Sequence, residues 1–147
     1  MPKAITSKDC YACGRDNVHG LRMRMIPDGD AVRCRFVPPP HARGFSRVAH
    51  GGIHAALLDE AIGVAVALRL GIKSVTASLS VTYRLPMIIG KPVVVRAWLD
   101  RRGRRFAYGA GDIRDARGRV IAEARARLVG LRERHTQTFV GRAIERK

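Results

Sequence analysis

His50-Gly51-Gly52, followed at a short interval by Asp59 and Glu60, is where the residue types and spacing of this 147-residue chain could do chemistry. If His50 stands at the start of a helix, free backbone N–H groups point out of that end. There the unpaired amides and the helix dipole polarise a carbonyl or hold an anion. Glycine lets a substrate carbonyl approach such a backbone closely. Asp59 and Glu60 interrupt an otherwise apolar run, and a carboxylate held in apolar surroundings is a stronger base or nucleophile than one in water. Adjacent positions on a helix diverge by about 100°, so the two carboxylates do not easily share one role. Either can instead face solvent or pair with an arginine, and two glycines before a helix are also an ordinary turn.

Other reactive groups are weaker signals. Cys10 and Cys13 have zinc-ligand spacing, but a structural zinc site needs four ligands. There is no second Cys-x-x-Cys, and His19 is a possible third ligand. No metal and no cofactor is therefore expected, and a packed N-terminal loop is the plain reading. The pair does not precede a βαβ pattern, so a redox motif is poorly supported. Cys34 falls on the apolar face of its segment and reads as a buried thiol. His41, His54 and His135 have no evident partners, although His54 lies one turn before Leu58 and could line a site.

These groups must be positioned by the elements around them. Leu21, Met23 and Met25 alternate with Arg22 and Arg24, and Val32, Cys34 and Phe36 with Arg33 and Arg35. Period-two alternation about Pro27-Asp28-Gly29-Asp30 predicts a hairpin of half-buried strands. A loop then runs to about Ala49. From Gly51 to about Leu70 the chain has almost no polar face, which predicts one helix buried on most sides, closed by Gly71. Four strands follow, over 74–85, 92–100, 105–114 and 119–131. In the first, Val75, Ala77, Leu79, Val81, Tyr83 and Leu85 alternate with Ser74, Thr76, Ser78, Ser80, Thr82 and Arg84. In the last, Val120, Ala122, Ala124, Ala126 and Leu128 share a face. Residues 1–131 read as a single α+β domain and 132–147 as a polar C-terminal tail. One sheet covers only part of a helix apolar nearly all round; a second copy of the chain could cover the rest.

Composition bounds the function. Lys and Arg number 28, 23 of them Arg, against 12 Asp and Glu, a formal net charge of +16. The surplus suits an anionic partner or substrate. Nucleic acid is one such partner, but the arginines are scattered rather than grouped in a recognised module. Aromatics are 5% of the chain, so stacking platforms are few, and no nucleic-acid partner is expected. The longest apolar stretch carries two carboxylates at mid-span, which argues against a membrane helix. The N-terminus lacks a signal-type apolar core, and three cysteines are an odd count for a disulfide framework. A reducing cytoplasm is therefore the expected compartment.

Taken together, His50-Gly51-Gly52, Asp59 seven residues after Gly52, and the stretch from Thr76 through Tyr83 to Pro86 resemble the hotdog-fold acyl-CoA thioesterases of the phenylacetate-pathway type, in the 4-hydroxybenzoyl-CoA thioesterase superfamily. The likeness covers about residues 10–131. Cys10-Tyr-Ala-Cys13-Gly14, Asn17 and Gly20-Leu21 resemble a lead-in found in one branch of such proteins. The resemblance implies a long central helix wrapped by a curved antiparallel sheet and paired into a double-hotdog dimer, as a homodimer or homotetramer. It implies Asp59 as the catalytic carboxylate, Gly51 N–H as the donor to the thioester carbonyl, and Thr76 as the residue placing the water or the acid. His50 matches a family histidine more often structural. His50 and Gly52 are expected to border the substrate, and Arg84, Arg101, Arg102, Arg104 and Arg105 are candidates for the phosphates of coenzyme A. One departure stands out. Many relatives carry a polar residue, often Asn, six positions before His-Gly-Gly, where this chain has Gly44.

Asp59 lies eight residues beyond Gly51, about 12 Å along a helix axis. One thioester group does not easily touch both on a single chain, whereas two antiparallel helices at a dimer interface bring Gly51 of one near Asp59 of the other. The expected function is hydrolysis of an acyl-CoA thioester at such composite sites. The alternatives are an acyl-CoA-binding or sensing module without turnover and, more remotely, a basic nucleic-acid-binding protein.

Overall fold

The computed structural model describes residues 4–131. The tail expected at 132–147 lies outside the described residues. Strands β1 (Ile26–Asp28) and β2 (Ala31–Phe36) form the first hairpin. A 3-10 turn at Pro40–Ala42 and a ribbon of β3 (Arg43–Phe45) with β4 (Val48–Ala49) lead into helix α1 (Gly51–Leu70). Four long strands follow: β5 (Ser74–Tyr83), β6 (Val93–Arg102), β7 (Phe106–Asp115) and β8 (Val120–Gly130). β3 and β4 occupy part of what reads from sequence as loop.

The helix has clear local causes. The His50 ring caps its start, with Nδ1 accepting the Gly52 N–H at 2.9 Å. Gly71 ends it in the left-handed conformation, φ 66°, its N–H returning to the Ala67 carbonyl at 2.8 Å. Leu57, Leu58, Ala61, Ile62, Ala65 and Val66 form one buried stripe along it, and each large side chain among them contributes about 1.5–3 kcal/mol by leaving water. The stripe lies against β2 and β5 to β8, so the sheet wraps the helix. At the centre the approach is close. A Cβ on Gly109 of β7 would sit 2.4 Å from Ile62 Cγ2. The other helix faces, with Ala56, Gly63, Val64 and Ala67, are only half-covered.

All six sheet strands are antiparallel, in the order β1-β2-β6-β7-β8-β5. This is the expected hotdog arrangement of one long helix in an antiparallel sheet, with three local corrections. First, β5 pairs with β8 and stands at an edge, although β6 follows it in sequence. Second, residues 21–25 show the predicted alternation, with Leu21, Met23 and Met25 buried, yet β1 begins only at Ile26. Leu21 and Met23 donate their N–H groups to the Tyr11 and Ala12 carbonyls, each at 2.8 Å. Their partner is the N-terminal segment, which alternation alone does not identify. Third, β5 is not regular. Thr76 pairs with Leu128 and Ser78 with Arg127, leaving Ala77 as an extra residue in a β-bulge. The bulge reverses the alternation, so Thr76 joins Leu79, Val81 and Tyr83 on the face that looks at the helix, rather than Ser78 and Ser80 outside.

Candidate active site

That bulge sets the first half of the candidate site. Thr76 Oγ1 donates to Asp59 Oδ1 at 2.6 Å, a short charge-assisted bond that orients the carboxylate. β5 crosses the helix so that its other end, Tyr83, meets the helix start. There Tyr83 donates its hydroxyl to the Gly51 carbonyl at 2.8 Å. Its ring packs edge-on against buried His54, centroids 5.2 Å apart. The sequence motif contains Tyr83, but no role for it was legible there; its signal is its place on the helix-facing side once the bulge is known.

The helix N-terminus supplies the second half. The Gly52 N–H goes to the His50 ring and the Ile53 N–H to the His50 carbonyl at 2.9 Å. That leaves the Gly51 N–H without an acceptor among the described residues. His54 donates Nδ1–H to the His50 carbonyl at 3.2 Å, since a carbonyl can only accept. Burial holds its pKa below the usual histidine value, His50 nearby adds to the effect, and the carbonyl bond opposes it. His54 is thus a packed neutral ring.

Gly44 has a steric cause. It is the irregular residue of β3, and a Cβ there would lie 2.8 Å from the His50 Cα and 3.1 Å from its nitrogen. The backbone that presents His50 occupies the space a side chain would need. Arg84 is committed elsewhere, its guanidinium on Glu123 of β8 at 2.6 Å. The structure therefore does not gather it with Asp59, Thr76 and Gly51. Arg102, Arg104 and Arg105 do come together, at the far end of the helix, where with Leu70, Ile72 and Phe106 they line a cleft of about 150 Å³. Arg101 instead lies over the Tyr108 ring, 4.0 Å from its centroid.

Asp59 and Glu60 leave the helix on opposite flanks of its buried stripe. Glu60 turns away from Thr76 toward the N-terminal segment, where its Oε2 lies 3.7 Å from Cys10 Sγ. Burial pushes the neighbouring Cys13 thiol up to about 12, and the nearby Glu60 carboxylate pushes the same way. Cys34 is buried as expected, and burial raises its thiol too. His19 does not join the Cys10–Cys13 pair.

The sequence model of the thioesterase superfamily matches residues 47–122, just over half of the chain, a span that takes in Gly51, Asp59, Thr76 and Tyr83. Acyl-coenzyme A thioesterase 13 of Mus musculus is 30% identical over 78 residues, 52% of this chain and 56% of that protein. A solved thioesterase superfamily protein superposes with a TM-score of 0.79 at 28% identity, over 83% of this chain and 60% of the other. The PaaI protein of the E. coli phenylacetic acid degradation operon gives 0.70 at 17% identity, over 76% and 81%. The first two matches span less than two thirds of the length of those relatives. No helix among the described residues is long and apolar enough to cross a membrane.

Proposed function

This chain belongs to the thioesterase superfamily, and from that premise we propose that it hydrolyses an acyl-CoA thioester to the free acid and coenzyme A, with Asp59 as the reacting carboxylate. The observation that carries the reading is the 2.6 Å bond from Thr76 to Asp59. It holds one carboxylate oxygen and so aims the other. As a general base, Asp59 takes a proton from water while the water oxygen adds to the thioester carbonyl carbon. As a nucleophile it adds there itself, and water then opens the mixed anhydride. Either way the C–S bond breaks and coenzyme A departs as thiolate, which takes up the proton released by the water: through Asp59 in the general-base route, on opening of the anhydride in the nucleophilic one. The unpaired Gly51 N–H and the helix dipole stabilise the oxyanion. His50 and Tyr83 act as positioning residues for that N–H, and Gly52 provides room beside it.

The site is proposed to be shared within a homodimer or a dimer of dimers. Gly51 and Asp59 stand about 12 Å apart along one helix, and Tyr83 and Thr76 mark the same two places on β5. β5 is a ten-residue edge strand, an element that calls for cover. A helix face only half-covered lies beside it.

Turnover of a panel of acyl-CoA thioesters tests the assignment. Asp59→Asn is expected to lose about 10²–10⁴ in kcat, the span of acid–base contributions, and Glu60→Gln far less. Full activity of Asp59→Asn sinks the role of Asp59. Acyl-CoA binding without turnover by the unaltered chain would favour the non-catalytic module instead.

A further inference from the structure

Residues 4–25 have little regular secondary structure, yet they are knitted to the body. Ile5 donates its N–H to the Met25 carbonyl at 2.8 Å, and Tyr11 and Ala12 receive Leu21 and Met23. Within this strap Cys10-Tyr11-Ala12-Cys13-Gly14 makes one tight turn, closed by the Gly14 N–H on the Cys10 carbonyl at 2.8 Å. Only glycine fits at its end, since a Cβ on Gly14 would lie 2.3 Å from that carbonyl oxygen. The turn directs both sulfurs to one side and brings backbone donors to them. The Ser7 N–H points at Cys13 Sγ at 3.3 Å and the Cys13 N–H at Cys10 Sγ at 3.5 Å. From the helix, Glu60 completes the group. The two sulfurs and a Glu60 oxygen lie within 4.8 Å of one another, the one such cluster of three metal-ligating side chains among the described residues.

We propose that Cys10, Cys13 and Glu60 form a site for a divalent thiophilic metal ion, zinc by its chemistry, with water as the fourth ligand. Two thiolates and a carboxylate are a ligand set that tetrahedral zinc accepts and that magnesium or calcium does not. The spacing fits. With Zn–S of about 2.3 Å and Zn–O of about 2.1 Å, neighbouring tetrahedral ligand atoms stand about 3.6 Å apart; Cys10 Sγ and Glu60 Oε2 are at 3.7 Å. Hydrogen bonds from N–H to sulfur favour the thiolates that metal binding requires, against the burial that keeps Cys13 protonated without an ion. Binding sends the two thiol protons to solvent and leaves a centre of net charge −1 on a strongly basic chain. The ligands come from residues fifty positions apart, so the ion clamps the strap to the flank of α1 opposite Asp59. Spacing alone left Cys10 and Cys13 short of ligands; Glu60, the carboxylate that sequence reasoning had no use for, supplies a third, and water the fourth.

Cobalt(II) is the probe, added to the full chain after reduction and chelation, with no assay of hydrolysis involved. One cobalt per chain is expected, with thiolate-to-cobalt charge transfer in the near ultraviolet, tetrahedral d–d bands in the visible, and release of two protons. Zinc should bleach these bands and raise the unfolding temperature. Cys10→Ser and Cys13→Ser should each lose charge-transfer intensity. Glu60→Gln should weaken binding at least about tenfold, the scale of losing even an outer-shell partner. The unaltered chain suffices for refutation. If it is folded by circular dichroism, with both thiols reacting with a thiol reagent, and gives no charge-transfer band, the site does not exist. A Cys10–Cys13 disulfide forming in air, with no metal uptake after reduction, overturns the proposal in favour of a redox pair. Unchanged affinity in Glu60→Gln overturns the three-ligand set.

Discussion

His54 shows how a single residue serves the candidate site without chemistry of its own. It lies one helical turn after His50, donates to the His50 carbonyl at 3.2 Å, and supports the Tyr83 ring that reaches Gly51. His50 is the titratable neighbour within its own helix and Tyr83 the one across from it. The lowered pKa of His54 has a stability consequence. Below the unfolded-state value of about 6.5 the unfolded chain binds a proton that the native chain resists. Stability is therefore present above pH 6.5 and lost as pH falls through the lower native value. The contribution is at most about 1.4 kcal/mol per pH unit in that window. Urea midpoints between pH 7.5 and pH 5 should drop more steeply for the native sequence than for His54→Asn, which keeps a donor for the His50 carbonyl. Equal slopes would show that burial of His54 does not perturb it.

Among the elements, β5 decides most about the site. Uninterrupted alternation would put Thr76 beside Ser78 on the outer face and leave Asp59 with no partner from the sheet. The extra residue Ala77 turns Thr76 inward while Leu79, Val81 and Tyr83 keep their packing against α1. Thr76→Val, which removes a hydroxyl bond to a carboxylate worth about 1.5–3 kcal/mol, should lower kcat about 10–100-fold. Ser78→Ala, on the outer face, should leave it within about twofold. Steady-state kinetics of the two variants separate the bulged strand from a regular one. Similar losses in both, or in neither, would mean that the bulge does not aim Thr76 in the working enzyme.

At the scale of the whole molecule the question is which chain supplies which half of the site. A Cβ at Gly51 would make only ordinary contact with Tyr83, at 3.4–3.5 Å, so Gly51→Val chiefly obstructs the N–H. Asp59→Asn removes the carboxylate, and each homodimer should be nearly inactive. In a mixed dimer with shared sites, one site carries both defects and the other carries neither. Co-refolding the two variants should restore up to about a quarter of native activity, since random pairing makes half the dimers mixed, each with one good site of two. Sites held within one chain would each keep a defect, and mixing would restore nothing. Absence of recovery, with mixed dimers seen by mass spectrometry, refutes the shared site.

What the sequence determined by itself is what short-range physics controls. The apolar run from Gly51 with a glycine after Leu70 is enough for the helix, because capping and side-chain burial act within a few turns. Alternation is enough to mark the long strands and the buried faces of 21–25 and 31–36. Gly51, Asp59 and Thr76 were singled out together only by the family resemblance, as an expectation. Tertiary structure decided the rest, because pairing register and contact between distant segments are not local quantities. One extra residue at Ala77 inverts a face without changing the composition of the strand. Arg84, well placed in sequence, is drawn to Glu123 by the β5–β8 register. Gly44 has its cause in the backbone of His50, which folds over it. The use of Glu60 appears only when a turn fifty residues upstream is laid against the helix, bringing Cys10 and Cys13 to the one carboxylate on that flank.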